Sequence, residues 1–274
     1  MTDKRLNTAE LDSLLFLLTD HDRVTQRVLA DRFCSMTWDE MSYCLANVDR
    51  VVPAQDRAFV RMCLEDASSV LAFADLQAGL VEPYGTYVPD CLYWLTRIVE
   101  PYLSPAGFRN LYERMGNDLI CELRDNMTAL EKAEILNHMF FSCFGFCMKY
   151  DGDNGRDVVL TNILKNREGG EIGLSSAYFL FARYADLPVY PVFPDNPGYY
   201  VGWIENGEAL FTMDICNKGK VSDPVPSHMW KNPRMTGLDC TIYYVYAASL
   251  RYMGLPLSDK KALLLDRALN QLRV

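Results

Sequence analysis

The 274-residue sequence predicts an α+β fold: a helical N-terminal half, then a small antiparallel sheet packed on a central helix, then closing helices. Three observations carry that expectation. Apolar residues recur at helical spacing through the first half of the chain. After residue 186 the period changes to short β-rich runs at 189–193, 199–205 and 209–213. The last two runs flank Asn206-Gly207, a dipeptide that supplies the two positive φ angles of a type I′ hairpin turn.

Each element has its own signal. Thr8 with Glu10 forms a partial capping box, since the acid follows two residues later rather than three. Leu11, Leu14, Leu15 and Leu18 then share one helical face. Asp20-His21-Asp22 breaks the pattern, and Val24, Val28, Leu29 and Phe33 form a second stripe. Trp38, Met41, Cys44 and Leu45 suggest a third short helix. Pro53 suits the first turn of the next helix, where its missing N–H costs nothing, and that helix runs to Gly79. A loop at 82–85 follows, then amphipathic helices at 88–102 and 105–124. Thr128-Ala-Leu-Glu131 is a full capping box for a helix over 128–146.

A turn-rich stretch at 151–155 leads to a short helix at 158–166 capped by Asp157, and a longer helix at 171–186. Between them Gly169 and Gly170 are expected to supply positive φ for a tight turn. A Pro-containing loop at 218–237 precedes two closing helices, 238–253 and 258–272. The chain is expected to divide after residue 127, into a helical domain over 1–127 and a core with C-terminal helices over 128–274.

Composition narrows the function. The net charge is −9 and no run of basic residues occurs, which argues against a nucleic-acid partner, because phosphate binding needs clustered Lys and Arg. No stretch is apolar for long enough to span a bilayer, so no membrane partner is expected. The first residues carry no cleavable apolar segment, and nine scattered cysteines in mostly apolar surroundings read as reduced thiols. A cytoplasmic location follows as an expectation. No cofactor is expected.

A series of short motifs carries a family resemblance. It comprises Leu136-Asn137, Phe144-Gly145-Phe146, Tyr150, Ile163-Leu164, Arg167, Gly169, Leu174 and Leu187-Pro188-Val189. In this order and spacing the chain resembles the transglutaminase-like, papain-like core of the bacterial SirB type. The resemblance covers 136–214 and extends toward the C-terminal helices. It implies a cysteine at a helix start, where unpaired N–H groups stabilise a thiolate. It implies a histidine base on a neighbouring strand and an aspartate that orients it.

The cysteine position falls at Ile172-Gly173, the histidine position after Pro197-Gly198 is Tyr199, and the aspartate position is Asp214. Two of the three groups therefore appear as residues unfit for the chemistry, since a glycine has no nucleophile and a phenol is a weak base at neutral pH. The expectation is a non-catalytic protein that binds a protein or peptide partner, with Arg167, Tyr199, Trp203 and Asp214 as binding residues. Trp203 and Tyr199 share a strand face and read as core, or as an aromatic wall if the cleft is open. Arg167 reads as a salt-bridge partner of Asp214 or a backbone carbonyl, or as the anchor for a ligand carboxylate. The alternative is a hydrolase or acyl-transfer enzyme with a site rebuilt around Asp214, Tyr199 and Arg167.

Other candidates are weaker. Cys216, two residues beyond Asp214, reads as a packed thiol or a relocated nucleophile. Ser175 and Ser176 lack a base nearby in sequence, although His228 could fold back over the site. Cys143 and Cys147, four apart on one helical face after His138, lack the further ligands that zinc needs, so no metal is expected.

Overall fold

The computed structural model describes residues 6–20, 22–81, 87–149, 155–192, 200–224 and 238–272, with the side chains of Tyr200 and Leu238 outside that set. The fold is α+β: among the described residues, twelve α-helices surround two small sheets.

The first helices stack as α1 (Thr8–Leu17), α2 (Arg23–Phe33), α3 (Trp38–Val51) and α4 (Arg57–Leu80). α1 starts one residue earlier than its partial signal suggests. Asn7 is the cap, so Glu10 lies three residues on and the capping box is complete. In α2 the expected stripe is only half right: Leu29 and Phe33 are buried, whereas Val24 and Val28 face solvent at 71% and 62% exposure. Pro53 does not open α4. It closes a turn onto Asp56, and the helix begins at Arg57.

The next helices are α5 (Val88–Val99), α6 (Pro105–Arg109), α7 (Glu113–Glu122) and α8 (Ala129–Asn137). The expected helix at 105–124 is thus two pieces. α8 has the Thr128–Glu131 capping box and then widens into a π-helical turn, His138–Cys143. Gly145 takes φ +76° and ends the helical path. Cys147 consequently lies in β1 (Cys147–Met148) rather than on a helical face with Cys143. β1 pairs in parallel with β2 (Glu168–Gly169).

A 3₁₀ turn (Arg156–Val158), α9 (Leu160–Asn166) and α10 (Glu171–Tyr184) follow. Asp157 does not cap α9 but sits inside the 3₁₀ turn. Positive φ falls on Arg167, at +63°, not on Gly169 or Gly170. The second sheet runs in the antiparallel order β3 (Val189–Val192), β4 (Tyr200–Glu205), β5 (Glu208–Asp214) and β6 (Lys220–Ser222). Asn206 and Gly207 have φ +55° and +82°, as a type I′ turn requires. β6 falls in the expected loop at 218–237: three residues with alternating exposure are too short a pattern to mark a strand. α11 (Leu238–Tyr252) and α12 (Asp259–Leu272) close the fold.

Buried apolar residues form two clusters. The smaller draws on Leu11 through Ala67 in α1–α4. The larger runs from Ala72 to Leu272, with α10 at its centre: Leu174 and Ala177 through Ala182 are all fully buried. A helix buried on every side must be apolar or satisfy its polar groups internally, and in LSSAYFLFA the three hydroxyls are all hydrogen-bonded. Tyr246 on α11 ties three elements inside this core, with its hydroxyl 2.7 Å from Thr96 Oγ1 and accepting from Leu160 N–H at 3.2 Å. Among the described residues, no helix is long and apolar enough to cross a membrane.

Candidate functional site

The start of α10 is the point where the sequence places a nucleophile, and backbone closes it off. Gly170 N–H donates to the Asp157 carbonyl at 3.2 Å, which draws the 3₁₀ turn across the first turn of the helix. A Cβ on Gly173 would collide with that same carbonyl oxygen. It would also come within 2.7 Å of Ile163 Cδ1 and 2.9 Å of Val158 Cα. No side chain fits at 173 without moving main chain. Gly169 and Gly170 serve the same closeness: a Cβ on Gly170 would lie 2.7 Å from Asp157 Oδ2.

The hydroxyls one turn further on are committed. Ser175 Oγ donates to the Glu171 carbonyl at 2.8 Å, and Ser176 Oγ to the Ile172 carbonyl at 2.9 Å. Both residues are fully buried. Back-bonding of this kind satisfies the donor of a buried helical serine within its own helix.

Asp214 ends β5 half-buried, and its position follows from the register Asp214↔Lys220 with β6. Its carboxylate accepts from Asn217 N–H at 3.2 Å and so caps the 3₁₀ turn Ile215–Asn217. That turn brings Cys216 toward the start of α10. Burial, and then the Glu171 and Asp214 carboxylates beside it, push the Cys216 thiol up to about 11. A catalytic cysteine needs the reverse, an electropositive setting that favours thiolate.

Arg167 does not reach Asp214. Its guanidinium lies 5.0 Å from the centre of the Phe146 ring and donates to Met115 Sδ at 2.7 Å. It forms no salt bridge among the described residues, which corrects the expected ion pair. Burial lowers its pKa from the usual arginine value. Trp203 is 2% exposed, packs against Phe211 at 5.8 Å and donates its indole N–H to Glu205 at 2.7 Å. It is a core residue, as one of its two readings had it, and presents no ring face for an aromatic wall. Tyr199, with Pro197-Gly198, Tyr150 and His228, lies outside the described residues.

One constellation escaped the sequence reading. Tyr178 on α10 donates its hydroxyl to Asn137 Oδ1 at 2.7 Å, and Asn137 Nδ2 donates to the Gly219 carbonyl at 2.8 Å. This relay joins α8, α10 and the β5–β6 turn. Tyr178 is fully buried, and burial drives its phenol pKa upward, so it stays a neutral donor. Gly219 has φ +73° and stands so close that a Cβ would strike the Asn137 amide. Among the described residues, no group of three His, Cys, Asp or Glu is placed to hold a metal ion.

A family model described as the transglutaminase-like superfamily matches residues 108–255. No curated protein and no solved structure matches the chain.

Proposed function

Because the chain belongs to the transglutaminase-like superfamily, we propose that it is a non-catalytic member of the SirB type that binds a protein or peptide partner. One observation carries this reading above the others: position 173 has neither a side chain nor room for one. The nearby alternatives fall to the same kind of argument. Ser175 and Ser176 are bonded to their own helix, and the Cys216 thiol is held in its protonated form by burial and two carboxylates. A site rebuilt around Asp214, Tyr199 and Arg167 is weakened because Arg167 is spent on Phe146 and Met115.

The binding face we assign centres on Asp214 at the end of β5, with Trp203 holding β4 in the core. Asp214 is half-exposed and brings a polar group to the end of the sheet. Two measurements test the reading. Fluorescence anisotropy against a labelled peptide library is expected to give saturable binding that Asp214→Ala weakens. Turnover of generic amide and ester substrates is expected to be absent. Turnover that disappears in a folded Asp214→Ala variant would replace the binding reading with the hydrolase one.

A further inference from the structure

On the other side of the 3₁₀ turn that seals α10, two cavities of about 240 and 320 Å³ adjoin and share Arg156 and Asn162 as lining. Their chemistry differs. The first is polar, with Lys149, Asp157, Asn166 and Glu168 in its wall. The second is walled by Val99, Val159, Leu255, Pro256 and Leu257. Two charged groups of the second cavity already have partners. Glu100 accepts from Thr161 Oγ1 at 2.6 Å, and Lys261 Nζ donates to the Val99 carbonyl at 3.2 Å and stands 3.9 Å from Glu65. Arg156, at the boundary, is exposed, and its guanidinium has no hydrogen bond or ion pair with any described residue.

We propose that these cavities form one site for a small zwitterion with an apolar side chain, a free amino acid or a very short peptide. A guanidinium without a partner matches a carboxylate in bidentate geometry. With Lys149 and Arg156 against Asp157 and Glu168 the wall carries both signs of charge in equal number, which suits a ligand with an α-ammonium group next to its carboxylate. The leucine-rich wall then receives the side chain. Each cavity lies at or below the lower end of the range that holds drug-sized ligands, which sets the ligand as small. This site is separate from Asp214 and stands whether or not that face binds a peptide.

Isothermal titration of the full chain tests it with L-leucine, L-leucyl-L-leucine, leucinamide and N-acetylleucine. Saturable binding is expected for leucine, dileucine or both, and which of them binds identifies free amino acid or peptide as the source. Leucinamide and N-acetylleucine are each expected to bind at least tenfold more weakly than the better of the two. Arg156→Ala, at an exposed position and checked for native circular dichroism, is expected to lose at least tenfold in affinity. The proposal is overturned if neither leucine nor dileucine binds at millimolar concentration. It is equally overturned if Arg156→Ala binds like the wild type, or if either blocked analogue binds as tightly as its parent.

Discussion

At position 173 the absence of a side chain is a packing requirement. The Asp157 carbonyl, held by Gly170 N–H, occupies the space a Cβ would need. Gly173→Ala is therefore expected to destabilise the fold by about 2 kcal/mol, because the obstacle is main chain and overpacked sites relax poorly. Urea denaturation measures this, and an unchanged midpoint would mean the 3₁₀ turn is easily displaced. Cys216 gives a second residue-scale expectation. With its thiol pushed up to about 11, alkylation of the Cys216 peptide by iodoacetamide should be slow at pH 8 and rise with pH through that value. Glu171→Gln removes one of the opposing carboxylates, so the profile should shift to lower pH. A rate already at its plateau by pH 8 would show an activated thiol.

At the scale of elements, the Tyr178–Asn137–Gly219 relay fixes how α8, α10 and the β5–β6 turn meet. Tyr178→Phe leaves the half-buried Asn137 Oδ1 without its donor, at about 1–2 kcal/mol. Asn137→Ala deprives both Tyr178 and the Gly219 carbonyl of a partner and should cost more, about 2–3 kcal/mol. If the three groups act as one network, the double variant costs less than the sum of the two; additive costs would show two independent contacts.

The sequence made some of these elements legible and hid others for definite reasons. Asn206-Gly207 declares its hairpin because its backbone angles are nearly dictated by residue type. Thr128–Glu131 declares a helix start because each side chain accepts from the other residue's backbone N–H. Val24 and Val28 misled because helical spacing says which residues share a face, not whether that face is covered. The switch of α8 to a π-helical turn and the two-residue strands β1 and β2 are set by tertiary packing and leave no local pattern. Asn137 was visible as a motif residue, but its partners are 41 and 82 residues away, beyond what spacing can pair.

For the whole molecule, burial runs across the division that the sequence places after residue 127. The larger cluster takes Leu92, Leu95, Phe108 and Leu119 from one side and α10, the sheet and α11 from the other. A fragment of residues 128–274 is accordingly expected to melt well below the full chain, or to show no cooperative transition. A transition equal to that of the full chain would establish an independent C-terminal unit. The same continuity gives the core a reason to persist that does not depend on catalysis. The demands that keep α10, the β4–β5 hairpin and Asp214 in place are packing and hydrogen bonding, and they hold whether or not an acyl group is ever transferred.

The most direct test of that claim is covalent. Incubation with an activated acyl ester, followed by intact-protein mass spectrometry and peptide mapping, asks whether any residue near α10 accepts an acyl group. The account predicts no adduct at Ser175, Ser176 or Cys216 and no ester turnover above buffer. A stoichiometric adduct at any of the three, formed in the wild type and lost in a folded Asp214→Ala variant, would contradict it.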